Sequence, residues 1–229
     1  PLELIDKFGG DALRFTLASL AAPGRDIKLS EARVEGSRNF ATKLWNAARF
    51  CEMNECGLVV DFEPASCQQT INRWIVGELT ACTRDIERYI SNYRFNDAAK
   101  TIYQFIWGTF CDWYVEVSKA KLKDDALRET CLAVQDLCLR QTLLLLHPVT
   151  PFITDELWTR LGYASEAGPT IQYVSPGDGA DLIKTLAKHN LELDFQAGTE
   201  ITDLRETVTA LRALKAERNL ATNKNVALS

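Results

Sequence analysis

Ile71, Trp74, Ile75, Leu79, Cys82, Ile86 and Ile90 recur at steps of three and four residues, which lines up one stripe of an α-helix and gives a strand no consistent face to bury. The same period returns at Phe40, Leu44, Ala47, Ala48 and Cys51. It returns again at Ile102, Phe105, Ile106, Phe110, Trp113 and Val117, and at Ile201, Leu204, Val208, Leu211 and Leu214. Each stripe needs another to cover it, so several in one chain leave little choice beyond helices packed side by side.

The breaks between stripes set the order. GDALRFTLASLAA, residues 10 to 22, predicts a short helix stopped by Pro23-Gly24, and RDIKLS a linker whose Ser30 N-caps a helix over about 31 to 56. After the Gly57 to Pro64 break, Ser66 with Gln69 forms a capping box for a long helix to about Asn92. Asn96 or Asp97 starts a third long helix to about Lys121, and a fourth runs from Asp125 to Leu146. Thr150 N-caps a shorter one with Pro151 at the favoured first position, ending at Gly162.

Beyond it the texture changes. TIQYV at 170 to 174 reads as a strand, SPGDG as a loop, 181 to 190 as a short helix, 199 to 218 as a last helix, and NVALS as a strand beginning. The expected fold is all-α: an antiparallel helical bundle over 31–163, preceded by a segment 1–30 and followed by a small mixed C-terminal extension over 164–229.

At 229 residues and 46% hydrophobic content the chain can bury a real core. No run approaches the roughly 20 apolar residues of a membrane span, so a membrane partner is not expected. The opening PLELIDKFGG is neither an initiator methionine nor a signal peptide and reads as a cut from something longer. A net charge of −5 confines any nucleic-acid contact to a local patch. One exists at Arg25, Lys28, Arg33, Arg38, Lys43 and Arg49, set against Asp26, Glu31 and Glu35, whereas residues 155 to 206 carry ten carboxylates against four Lys or Arg.

Little else points to chemistry. Seven cysteines without a CxxC pair read as small hydrophobes of a reducing cytosol rather than a zinc site or disulfide framework. His147, ahead of Pro148, is expected to cap helix carbonyls. Asp112 and Glu116 share one helix face and are expected to face solvent or pair with a basic residue. Asp124-Asp125 and Asp155-Glu156 are expected at helix N-termini. No phosphate-cradling glycine loop is present. No catalytic residue, metal or cofactor is therefore expected within these residues.

RNFATKLWNAARF, residues 38 to 50, is the exception. On a wheel of about 100° per residue, Arg38, Thr42, Asn46 and Arg49 lie opposite the apolar stripe. Phe50 projects among the polar residues between Asn39 and Lys43, and Trp45 sits at the other edge of the polar arc. A second helix covering that side explains Phe50. So does a stacking platform for an RNA base, with Asn39 and Asn46 reading base edges and Arg38, Lys43 and Arg49 holding phosphates.

LLLLHPVTPFITDELW, residues 143 to 158, resembles the HPxxPFxxxELW hallmark of the helical anticodon-binding domain of class Ia aminoacyl-tRNA synthetases. DALRFTLASLAAPGRDIKLS (11 to 30), RVEGSRNFATKLWNAARF (33 to 50) and FCDWYVEVSK (110 to 119) are similar to the bacterial valyl branch of that family. The resemblance implies that 1–30 ends a stem-contact region and that 31–163 binds the anticodon stem and loop of tRNA(Val). Phe50 becomes a base-stacking residue, with Arg38, Asn39, Lys43, Trp45, Asn46 and Arg49 around it. It further implies a cytoplasmic, monomeric valine-tRNA ligase. It implies as partners the remaining catalytic and editing domains of the synthetase; ATP and magnesium would be used by the catalytic domain that bears the HIGH and KMSKS motifs, which these residues lack, so this part alone is expected to be inactive. The alternatives are another class Ia synthetase, isoleucyl or leucyl, and a helical scaffold with no RNA contact.

Overall fold

The computed structural model describes residues 1–24, 26–56, 67–164, 170–171 and 195–218. Nine α-helices and one π-helical segment appear among them: α1 Leu2–Phe8, α2 Gly10–Leu20, α3 Glu31–Met53, α4 Thr70–Ser91, α5 Phe95–Tyr103, the π segment Gln104–Val115, α6 Glu116–Lys121, α7 Asp125–Leu146, α8 Pro151–Arg160 and α9 Phe195–Glu217. The predicted all-α antiparallel bundle is what forms. Phe40, Leu44, Ile75, Leu79, Ile106, Phe110, Leu139 and Leu143 are almost wholly buried at its centre.

The mixed C-terminal extension is a misreading. No strand occurs among the described residues, and Ile171, expected inside one, is buried in the helical core with its N–H donated to the Asp155 side chain at 3.3 Å. The rest of TIQYV, the 181 to 190 helix and NVALS lie outside the described residues. The described end of the chain is α9, which starts four residues earlier than its stripe suggested and packs on α4 through Ala197 and Ile201. Its Leu204 and Leu214 stay exposed. Arg205 holds this helix instead, its guanidinium 5.8 Å from the Trp74 ring and 5.4 Å from Trp113.

Helix starts follow local chemistry in part. Asp124 caps α7 by accepting the Ala126 N–H at 3.0 Å. Ser30 and Thr150 occupy cap positions without a side-chain cap bond, and α4 begins after Gln69, while Ser66 lies outside the described residues. Asp155 and Glu156 fall past the first turn of α8. The charge for that N-terminus comes from α2, where Asp11 accepts the N–H of Phe152 at 3.3 Å and of Ile153 at 2.7 Å.

Arg14, one turn along α2, donates to the carbonyls of Pro148 and Val149 at 2.9 Å each. It thus does the work expected of His147. His147 Nδ1 lies 2.8 Å from Thr154 Oγ1, whose own proton goes to the Thr150 carbonyl at 2.8 Å, so the histidine is the donor. Burial lowers its pKa, with Asp155 and Asp11 opposing. Gly162, at φ +75°, lets the chain reverse after α8, and Tyr163 then sets its ring edge on Trp158 at 5.0 Å. The HPVTPF stretch is therefore a helix corner clamped from both sides by α2.

The π segment departs furthest from expectation. Bonding five residues back rather than four widens each turn, so buried positions fall at steps of both five and four: Phe105, Phe110 and Val115, and Ile106, Phe110 and Tyr114. Tyr114 and Ser118 turn inward, while Trp113 and Val117, predicted for the stripe, are half-buried. Tyr114 is fully buried and donates to Asn72 Oδ1 at 2.9 Å.

Candidate nucleic-acid interface

α3 crosses the bundle with Phe40, Leu44, Ala47, Ala48 and Cys51 buried, as its stripe requires. That fixes the opposite side as solvent-facing. Arg38, Asn39, Thr42, Asn46 and Arg49 are exposed there, and Met53, 77% exposed, closes the same face at its C-terminal end. The side chains of Arg38, Asn39, Asn46 and Arg49 make no hydrogen bond or ion pair among the described residues. Four donor-bearing groups on adjacent turns are thus uncommitted.

The two aromatic residues mark the edges of this face. Phe50 is half-buried, packed against the core on the side of the π segment and α6, with Lys119 Nζ 5.5 Å from its ring centroid. Lys119 is also ion-paired to Glu116 at 2.6 Å. Full burial would make Phe50 a core residue and full exposure a free platform; it is between the two. Trp45 is half-buried on the other edge, facing α8, where Arg160 lies 5.1 Å over its ring and pairs with Glu52 at 3.3 Å. Beyond Trp45 opens a cleft of about 340 Å³ lined by Phe8, Asp11, Ala41, Phe152 and Glu156. There Gly10 sits so close to Phe152 that a Cβ would lie 3.3 Å from the ring.

Lys43 differs from the other expected phosphate ligands. Its ammonium is ion-paired with Asp112 and lies 3.9 Å over the Trp107 ring. Trp107 in turn stacks on Tyr103 at 5.6 Å, Tyr103 meets Phe40 at 5.1 Å, and Phe40 stacks on Phe15 at 4.7 Å. A row of rings runs from the core to the edge of the face. Asp112 is paired as expected, and so is Glu116. Of the basic patch, Glu31 is taken by Lys7, and Arg25 lies outside the described residues.

Sequence reasoning had no means of finding Lys119, Trp107 and Arg160, because each reaches the face from another element. Their positions depend on packing and not on the α3 period. Elsewhere, no three His, Cys, Asp or Glu side chains among the described residues gather where a metal ion could bind, and no described helix is long and apolar enough to cross a membrane.

A family model described as the anticodon-binding domain of tRNA ligase matches residues 72–229. Over 96% of its length the chain is 44% identical to a valine-tRNA ligase of Bradyrhizobium diazoefficiens and to one of Brucella suis, and 43% identical to that of Nitrobacter winogradskyi. It spans about a quarter of the length of these relatives, 25%, 23% and 25% respectively. A LeuRS of Agrobacterium radiobacter, solved in a ternary complex with tRNA and LeuAMS, superimposes on 74% of this chain, using 21% of its own, with a TM-score of 0.58. At 20% identity that likeness concerns the fold alone. With these residues on these helices, the chain belongs to the anticodon-binding domain family of tRNA ligases.

Proposed function

We propose that the chain binds the anticodon stem and loop of tRNA(Val) as part of a cytoplasmic, monomeric valine-tRNA ligase. The observation that carries this reading is the α3 face itself. Uncommitted Arg38, Asn39, Asn46 and Arg49 lie beside the half-buried Phe50 ring, in a family of anticodon-binding domains. A ring supported from beneath can stack an unpaired base, a contact of about 1–3 kcal/mol. Asn39 and Asn46 then address base edges, while Arg38 and Arg49 hold phosphates. Lys43 reaches a phosphate only by releasing Asp112, so most of the backbone contact falls to the two arginines. Trp45 borders the face beneath Arg160.

The segment 1–30 serves as the stem-contact region that orients the bundle. Aminoacylation with ATP and magnesium belongs to catalytic domains elsewhere in the ligase, and the residues described here supply recognition without catalysis. Affinity of the full-length protein for a stem–loop RNA with a valine anticodon tests the reading. It should exceed the affinity for leucine and isoleucine anticodon loops and weaken as salt rises. Equal affinity for all three loops contradicts it.

A further inference from the structure

We infer that Lys119, on α6, holds a phosphodiester of the RNA strand whose base stacks on Phe50. This rests on the function proposed above and extends its site to a second element. In an uninterrupted α-helix the expected stripe turns Val117 toward the core, and Lys119, two residues on, would sit about 160° from it around the axis, facing away from the core. The π segment changes the register. Ser118 is buried instead, its Oγ donating to the Val115 carbonyl at 2.8 Å and accepting from Gln135 Nε2 at 2.7 Å. Lys119 is then only about 100° from the buried line and comes to lie over Phe50, 5.5 Å from the ring centroid.

The resulting group is a cation over a partly open ring, which it vacates when a base stacks there, followed along α3 by uncommitted Arg49 and Asn46. A base on the ring carries its own phosphates within reach of such a cation. Glu116 holds Lys119 at 2.6 Å, but both side chains are about half exposed, 58% and 46%, and an exposed pair of this kind exchanges readily for a phosphate. Half of the lysine is already open to that strand.

The test uses the full-length protein and a stem–loop RNA bearing a valine anticodon, with affinity measured across a salt series for wild type, Lys119→Ala, Lys119→Arg and Phe50→Ala. Lys119→Ala should lower the slope of log affinity against log salt by about 0.7–0.9, the contribution of one phosphate contact. Its melting temperature should not change, and Lys119→Arg should restore the slope. An unchanged slope for Lys119→Ala, with binding weakened by Phe50→Ala, overturns the role of Lys119 and leaves the stacking reading in place. If neither variant weakens binding, both fall. Lost affinity with a lowered melting temperature and no change of slope makes Lys119 structural and also overturns the inference.

Discussion

The carboxylate of Asp11 accepts the backbone N–H of Ile153 at 2.7 Å across 142 residues of chain. It supplies the first turn of α8 with the acceptor that Thr150 does not provide. Asp11 is 9% exposed, so removing it leaves two amides, of Phe152 and Ile153, without a partner. Asp11→Ala should destabilise the bundle by about 1–3 kcal/mol. Chemical denaturation measures this, and Asp11→Asn, which keeps one acceptor, should fall between the two.

Leu44 and Phe50 lie on one helix with different burdens. Leu44 is 1% exposed, and Leu44→Ala should cost about 2–5 kcal/mol through the cavity it leaves. Phe50 is only half-buried, and Phe50→Ala should cost clearly less than the 3–5 kcal/mol typical of a buried phenylalanine. Equal losses in thermal unfolding would make Phe50 a core residue.

Tyr114→Phe removes the donor to Asn72 Oδ1 inside a fully buried site. The amide oxygen is left with only the weak Cys131 thiol donor at 4.0 Å, which should cost about 1–3 kcal/mol. Asn72→Ala in the same background should cost less than it does alone, because the tyrosine hydroxyl is already gone. A double-mutant cycle by denaturation reads the coupling.

The alkaline limb follows from the thiols. All seven cysteines are free and buried. Burial pushes Cys67 up from 9.0 to about 11 and Cys111 from 9.0 to about 12. Between those values the unfolded chain loses protons that the folded chain keeps, so stability, full below about pH 9, should fall as pH rises from 9 toward 12. A thiol reagent at neutral pH should label the native protein only as fast as it opens and label all seven after denaturation.

Helix content was legible because the bundle obeys the 3.6-residue period it was read with, and Asp124 and Pro151 sit where local capping chemistry puts them. The π segment was not. Its sequence, QFIWGTFCDWYV, offers apolar residues at both four- and five-residue spacing, so the period alone does not select the wider turn of a segment that packs against α3, α4 and α7. At TIQYV the described Ile171 departs from the expected strand for a related reason: the helical core claims it, and Asp155 takes its N–H. On the candidate face, the pattern of α3 revealed which residues point outward. It held no information about Asp112 taking Lys43, Arg160 covering Trp45 or Lys119 reaching Phe50.

We propose that the α3 face at Phe50 receives an anticodon base. A chemical footprint of the full-length protein on tRNA(Val), compared between wild type and Phe50→Ala at equal occupancy, addresses it most directly. Wild type should protect the anticodon loop, and Phe50→Ala should lose protection at one or more anticodon bases while retaining it along the stem. An anticodon-loop footprint identical in the two proteins would mean that Phe50 receives no anticodon base.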